Sequence, residues 1–212
     1  MGLFQKKPQV SSSAPLYTLG LNKTVLVVGL GNVGKKYDRT RHNIGFECVD
    51  FFAEKTDLGT WVEKKDLKCR LVSGMAGDRR VIAIKPTTFM NLSGEAVQAV
   101  MHFYKIPNNQ VIVVHDELDI PFGQIRTRVG GSSAGNNGIK SIIQQIGEEF
   151  ARVRVGIRNE LAEKQDSTDF VLNKFGKDEA AQLGSLKKEV TAILTEYTYS
   201  TQLTPETRNF IV

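Results

Sequence analysis

Val25-Leu26-Val27-Val28-Gly29 is an unbroken apolar run that closes on glycine and leads into Leu30-Gly31-Asn32-Val33-Gly34. A run with no polar residue at alternate positions has no face for water, so it predicts a strand buried on both sides near the middle of a sheet. The glycines that follow match G-x-G-x-x-G in form, which raises a dinucleotide-binding reading. That reading needs a helix opening at the third glycine, so that the helix N-terminus meets a pyrophosphate. Here Lys35-Lys36-Tyr37-Asp38-Arg39-Thr40-Arg41 delays the helix to about Ile44, and no acidic ribose ligand is evident. The glycines are better read as shaping a tight turn that presents Asn32 and a basic loop.

Working outward, Cys48, Val49, Phe52 and Ala53 fall on one helical face between Ile44 and Lys55. Leu67 to Met75 and Arg79 to Ile84 read as strands joined through Ala76-Gly77-Asp78, an antiparallel hairpin. Ser93 is expected to cap a helix carrying Val97, Val100, Met101 and Tyr104, closed by Pro107. Val111 to Val114 predicts a second buried strand. Gln124 to Val129 and Arg152 to Ile157 alternate as strands, around a helical stripe of Ile139, Ile142, Ile143 and Ile146. Leu183, Leu186, Val190, Ile193, Leu194 and Tyr197 mark a final helix that packs on the sheet. The expected architecture is a single-domain, three-layer α/β fold with a mixed, largely parallel twisted sheet covered by helices. It should occupy residues 23–212, after a polar, flexible leader at residues 1–22.

Composition narrows the function classes. The 212 residues are 41% hydrophobic and 24% charged, which excludes collagen-like and wholly disordered chains. Two cysteines, Cys48 and Cys69, match no metal-ligand spacing and fit reduced thiols in a cytosol-like compartment. No apolar run reaches the ~18 residues that span a bilayer, and Lys6 stands where a myristoylation signal needs Ser or Thr. A soluble, cytoplasmic protein without membrane attachment is expected. The net charge of +5 favours a polyanionic partner.

Chemistry-bearing residues collect in the loops expected beyond the buried strands. His42, in Thr40-Arg41-His42-Asn43, is placed to act as a general base, although a histidine there could also cap a helix or lie in solvent. His115-Asp116-Glu117-Leu118-Asp119 offers possible metal ligands, but adjacent strand residues point to opposite sides and no second ligand set accompanies them. One of these carboxylates is better suited to orienting a neighbouring histidine, with Glu117 and Asp119 fitting a turn completed by Pro121 and Gly123. Asn91, in Lys85-Pro86-Thr87-Thr88-Phe89-Met90-Asn91, could donate to an oxyanion or hold a water. Gly130-Gly131-Ser132-Ser133-Ala134-Gly135-Asn136-Asn137-Gly138 is a small-residue loop lacking the lysine of a P-loop. His102 suits a packing or surface role. Arg126, Arg128, Arg152 and Arg154 alternate on two strands, as a phosphate-binding patch or a solvated sheet face.

In order, GLGNVGKKYDRTRHNIGF, KPTTFMNLSG, VVHDELDIPFGQIR and GGSSAGNNGIKSI resemble the bacterial-type peptidyl-tRNA hydrolases over about Val25 to Phe175. The resemblance implies hydrolysis of the ester joining a nascent peptide to tRNA, by a monomer without metal or organic cofactor. It implies His42 as the base, Asp116 as its orienter and Asn91 as a holder of the water or oxyanion. Asn32, Tyr37 and Met90 would line the cleft, Asn137 would bind the acceptor end, and Arg128 with Arg154 would clamp the tRNA 5′-phosphate. The chain departs from the family pattern at Val33, at Ser132 to Ala134, and at Asn136, where histidine is usual. Asn136→His is therefore expected to alter substrate affinity more than the chemical step. A noncatalytic RNA-binding module of the same fold would have no reason to keep His42, Asp116 and Asn91 together. A hydrolase for small neutral esters would leave the arginines idle.

Overall fold

The structure, a computed structural model, describes residues 24–211; the leader expected at residues 1–22 lies outside them. Every residue of β1 (Thr24–Gly29) is buried. Val25 and Val27 point into one hydrophobic core and Leu26 and Val28 into another, so this strand is sealed from both sides. At ~2 kcal/mol for each fully buried aliphatic side chain, no other register of this strand competes.

The remaining strands are β2 (Val62–Lys64), β3 (Cys69–Ala76), β4 (Arg79–Pro86), β5 (Val111–Pro121), β6 (Gln124–Val129), β7 (Ala151–Arg158) and β8 (Thr207–Asn209). They form one sheet in the order β2-β3-β4-β1-β5-β7-β6-β8. The centre, β4-β1-β5-β7, is parallel, and the outer pairings are antiparallel. The β3–β4 hairpin turns at Gly77 with φ 61°, as its sequence predicted. The helices are α1 (Ile44–Lys55), α2 (Ser93–Tyr104), α3 (Asn137–Ile146), α4 (Ser167–Leu172) and α5 (Lys177–Ser200). Side chains of α1 and α5 cover one face of the sheet and those of α2 and α3 the other, which makes three layers.

Because β1 and β4 are parallel, their following loops leave the same edge; one enters α1 on one face and the other enters α2 on the opposite face. A crevice opens where such connections diverge. Gly45 seats α1 against that edge: a Cβ there would collide with the backbone of Val114 and Leu30. The helix start, and with it His42, is thereby drawn onto the ends of β1 and β5.

Two local expectations change. Ser93 does not cap α2 but is its first residue; a 3-10 turn, Met90–Leu92, runs directly into the helix, and Ser93 Oγ donates to the Met90 carbonyl at 2.8 Å. The Gly94 N–H is satisfied from outside by Ser141 Oγ of α3 at 3.0 Å. Second, β5 does not stop at Val114. It continues through the polar residues to Pro121, with a register shift against β7 between Glu117 and Pro121. The bend falls instead at Phe122-Gly123, where Gly123 has φ 104°. Glu117 is 3% exposed and bonded to Arg154, so it is no turn residue. Polarity in the sequence marked the end of a strand, whereas paired charges allow that strand to continue through the interior.

Candidate active site

His42 sits on a three-residue 3-10 turn, Arg41–Asn43, immediately before α1. The turn is anchored on both sides of the histidine. Arg41, 2% exposed, donates to the Lys174 carbonyl and to Glu179 Oε2, both at 2.7 Å, with its guanidinium 4.3 Å from the Phe170 ring. Asn43 accepts from the Asn32 N–H at 2.8 Å and donates to the Asn32 carbonyl at 3.0 Å. Neighbouring side chains thus fix the turn to the segment before α5 and to the loop after β1, leaving the imidazole to face β5.

There Asp116 meets it. His42 Nδ1 lies 3.0 and 2.9 Å from the two oxygens of the Asp116 carboxylate. The pair is sheltered, with the histidine side chain 12% and the aspartate side chain 3% exposed. Burial is the largest influence on the His42 pKa and acts downward, but the charge and hydrogen bond of Asp116 together prevail and hold it above 6.5. Burial would raise the Asp116 carboxyl; His42, first by charge and then by hydrogen bonding, with His115 assisting, brings it below the ordinary carboxylate value. An ionised Asp116 only accepts hydrogen bonds, so Nδ1 carries the proton and Nε2 of the neutral ring is left with its lone pair. His115, fully buried and with its pKa pushed down to about 4 chiefly by burial, donates from Nδ1 to the Asp116 carbonyl at 2.8 Å.

The pair opens on a cleft of about 650 Å³. Asn32, Met90, Asn91 and Asn137 line it together with His42 and Asp116. Asn32 Oδ1 accepts the Met90 N–H at 2.9 Å, so the orientation of this amide is set and its NH2 group remains for the cleft. Asn91 is exposed on the turn before α2. An apolar wall is supplied by Phe89, Leu118, Val171 and Leu172.

Other predicted residues fall elsewhere. Tyr37 does not line the cleft; it lies half-buried on the 3-10 turn Lys35–Tyr37, with Lys36 Nζ 4.7 Å from its ring centre. Arg128 and Arg154 stand on β6 and β7, outside the cleft lining. Arg128 pairs in register with Arg152, and Arg126 with Arg154, so the four do share a sheet face. Arg152 leaves the expected patch: it is 2% exposed, donates to the Ser132 and Gly131 carbonyls, and is pushed down to about 10 by burial. It serves as the internal brace of the small-residue loop. Arg154 Nε binds Glu117 at 3.1 Å. His102 is exposed on α2.

Four contributors were not read from the sequence: the braces Arg41 and Asn43, the loop residue Asn136 as a partner of Asp116, and α4. Only α4 left a local trace, in Asp166, whose side chain accepts the Thr168 N–H at 2.8 Å as an N-cap, ahead of apolar Phe170, Val171 and Leu172. Among the described residues no group of three or more His, Cys, Asp or Glu is arranged to hold a metal, and no helix is long and apolar enough to cross a membrane.

A three-layer α/β protein with a carboxylate-oriented histidine at the head of an open cleft has the make-up of a general-base hydrolase. Comparison with known proteins narrows that class. The chain belongs to the peptidyl-tRNA hydrolase family, whose sequence profile matches residues 26–210. It is 46% identical over 157 residues to the peptidyl-tRNA hydrolase of Shouchella clausii, covering 74% of this chain and 83% of that one. It is 42% identical over 173 residues to that of Levilactobacillus brevis, covering 81% and 91%. The crystal structure of peptidyl-tRNA hydrolase from Acinetobacter baumannii superposes with a TM-score of 0.73 at 32% identity, covering 84% of this chain and 88% of that chain. The resemblance drawn from the four motifs is thereby established.

Proposed function

We infer that this chain hydrolyses the ester between a peptide and the terminal ribose of tRNA, releasing both, as its family membership and its relatives' activity support. The observation that carries the mechanism is the contact of His42 Nδ1 with Asp116 at 2.9 Å, which commits the free lone pair to Nε2. From Nε2 the ring takes a proton from water as the water oxygen attacks the ester carbonyl. Asp116 holds the tautomer and stabilises the imidazolium as it forms. The NH2 groups of Asn91 and Asn32 hold the water or donate to the oxygen that becomes negative in the tetrahedral intermediate. When that intermediate collapses, the carbonyl re-forms, the ester C–O bond breaks, and the proton on Nε2 passes to the departing ribose oxygen.

Recognition is assigned around this centre. Met90 and the apolar wall receive the esterified residue, Asn137 the acceptor end, and Tyr37 a neighbouring part of the substrate beyond the cleft. Arg128 binds tRNA phosphate. Arg154 joins it with its terminal amino groups, its Nε being engaged by Glu117. The enzyme works as a cytoplasmic monomer that recycles tRNA from chains released early. These assignments follow the motif order, the net charge of +5 and the half-buried arginines on one sheet face.

The test compares the protein with His42→Ala on N-acetyl-aminoacyl-tRNA and on unblocked aminoacyl-tRNA, following acyl release. Cleavage of the blocked substrate alone, abolished by the substitution, is expected. Tight binding without cleavage would return the protein to the noncatalytic RNA-binding class.

A further inference from the structure

Asn136 stands at the junction of the small-residue loop and α3, at the position where the family pattern has histidine. Its backbone is extended, with φ −72° and ψ 115°, and its Oδ1 accepts the N–H groups of Gly138 at 3.0 Å and Ile139 at 3.1 Å. These are two of the donors that a helix start leaves without partners. A side-chain amide has one acceptor end and one donor end, so committing its oxygen to the helix turns its NH2 group the other way. That group lies 3.1 Å from Asp116 Oδ1 and 3.3 Å from the Asp116 carbonyl. The orientation of the amide is therefore dictated by the cap.

Asp116 is in consequence held from three directions. Its carboxylate receives Nδ1 of His42 and Nδ2 of Asn136, and its carbonyl receives Asn136 together with Nδ1 of His115. We propose that Asn136 is a positioning residue for the hydrolytic step, fixing the Asp116 carboxylate against His42 while its other end secures the helix that carries Asn137 into the cleft. The proposal rests on the assignment of His42 as base and Asp116 as orienter. It moves the expected consequence of replacing Asn136 from substrate affinity to chemistry, since the residue touches the orienter directly.

Asp and Ser cap helices about as well as Asn, but neither supplies an NH2 group. Asn136→Asp and Asn136→Ser therefore separate the two ends of the amide. If Asn136 were a cap alone, Asn136→Ser would match the parent in every respect. On the proposal, Asn136→Ser stays folded and keeps the affinity for N-acetyl-aminoacyl-tRNA while the single-turnover rate falls about tenfold. Asn136→Asp sets a second carboxylate beside Asp116. The titratable groups acting on that carboxylate are His42 and His115, the latter kept neutral by burial, so the added charge falls on His42. The acid limb of the rate profile then moves to higher pH.

The experiment measures single-turnover rate against pH, dissociation constant and thermal midpoint for the parent, both variants and His42→Ala. A slower Asn136→Ser with unchanged binding, together with a displaced limb in Asn136→Asp, supports the proposal. A parental rate in Asn136→Ser, with His42→Ala inactive, overturns it whatever the limb of Asn136→Asp does, and leaves the base assignment standing. Full activity in His42→Ala overturns both.

Discussion

An imidazole serves as a base near neutrality only while one ring nitrogen is free, and His42 meets this condition because Asp116 occupies the other. With its pKa held above 6.5, the ring is protonated and idle on the acid side, so kcat/KM should climb as pH rises through that raised value. Asp116→Asn removes the attraction and leaves burial acting alone, which moves the acid limb below 6.5. Widening of the active range is outweighed by loss of the tautomer, because an amide can donate to Nδ1 and drive the proton onto Nε2. The expected fall in kcat is roughly a thousandfold or more, with the tRNA dissociation constant unchanged. A pH series of kcat/KM on both proteins reads the limb and the rate together.

At the scale of elements, the placement of His42 depends on where α1 begins. Gly45→Ala would press a methyl group into the backbone of Val114 and Leu30, so a destabilisation of about 3 kcal/mol is expected in urea unfolding, with activity lost in the folded fraction as the turn is displaced. Arg41→Ala leaves Glu179 without its guanidinium and strips the Phe170 contact, a loss of about 3 kcal/mol by the same measurement. These two residues also mark what could be read from the sequence and what could not. The strands β1, β3, β4, β6 and β7 and all helices except α4 were legible because burial periodicity is local. The tail of β5 was not, because its interior charges are matched by Arg154 and His42 from distant segments. That His42, Asp116, Asn32, Asn91 and Asn137 would gather at one cleft was legible through their motifs. The braces Arg41 and Asn43 were not, since their partners Glu179 and Asn32 lie 138 and 11 residues away and leave no spacing to recognise.

Across the whole molecule, a net charge of +5 should make tRNA affinity fall as salt is raised. The two arginines assigned to phosphate should respond differently when removed. Arg128→Ala weakens binding and lowers the salt slope by about one, measured by titration at several salt concentrations. Arg154→Ala strands Glu117, which is 3% exposed, and so costs about 3 kcal/mol of stability in addition to any lost contact. The two ends of the sheet bear on a different property. β2 and β8 are three residues each and carry Glu63, Lys64 and Arg208, so a second copy sliding alongside would find only a brief ladder bordered by charge. A protein built around strands as uniformly apolar as β1 carries the means to aggregate in its own centre. Stunted, charged margins keep that tendency enclosed, so the folded protein should withstand crowding at concentrations where a truncation exposing β3 would precipitate.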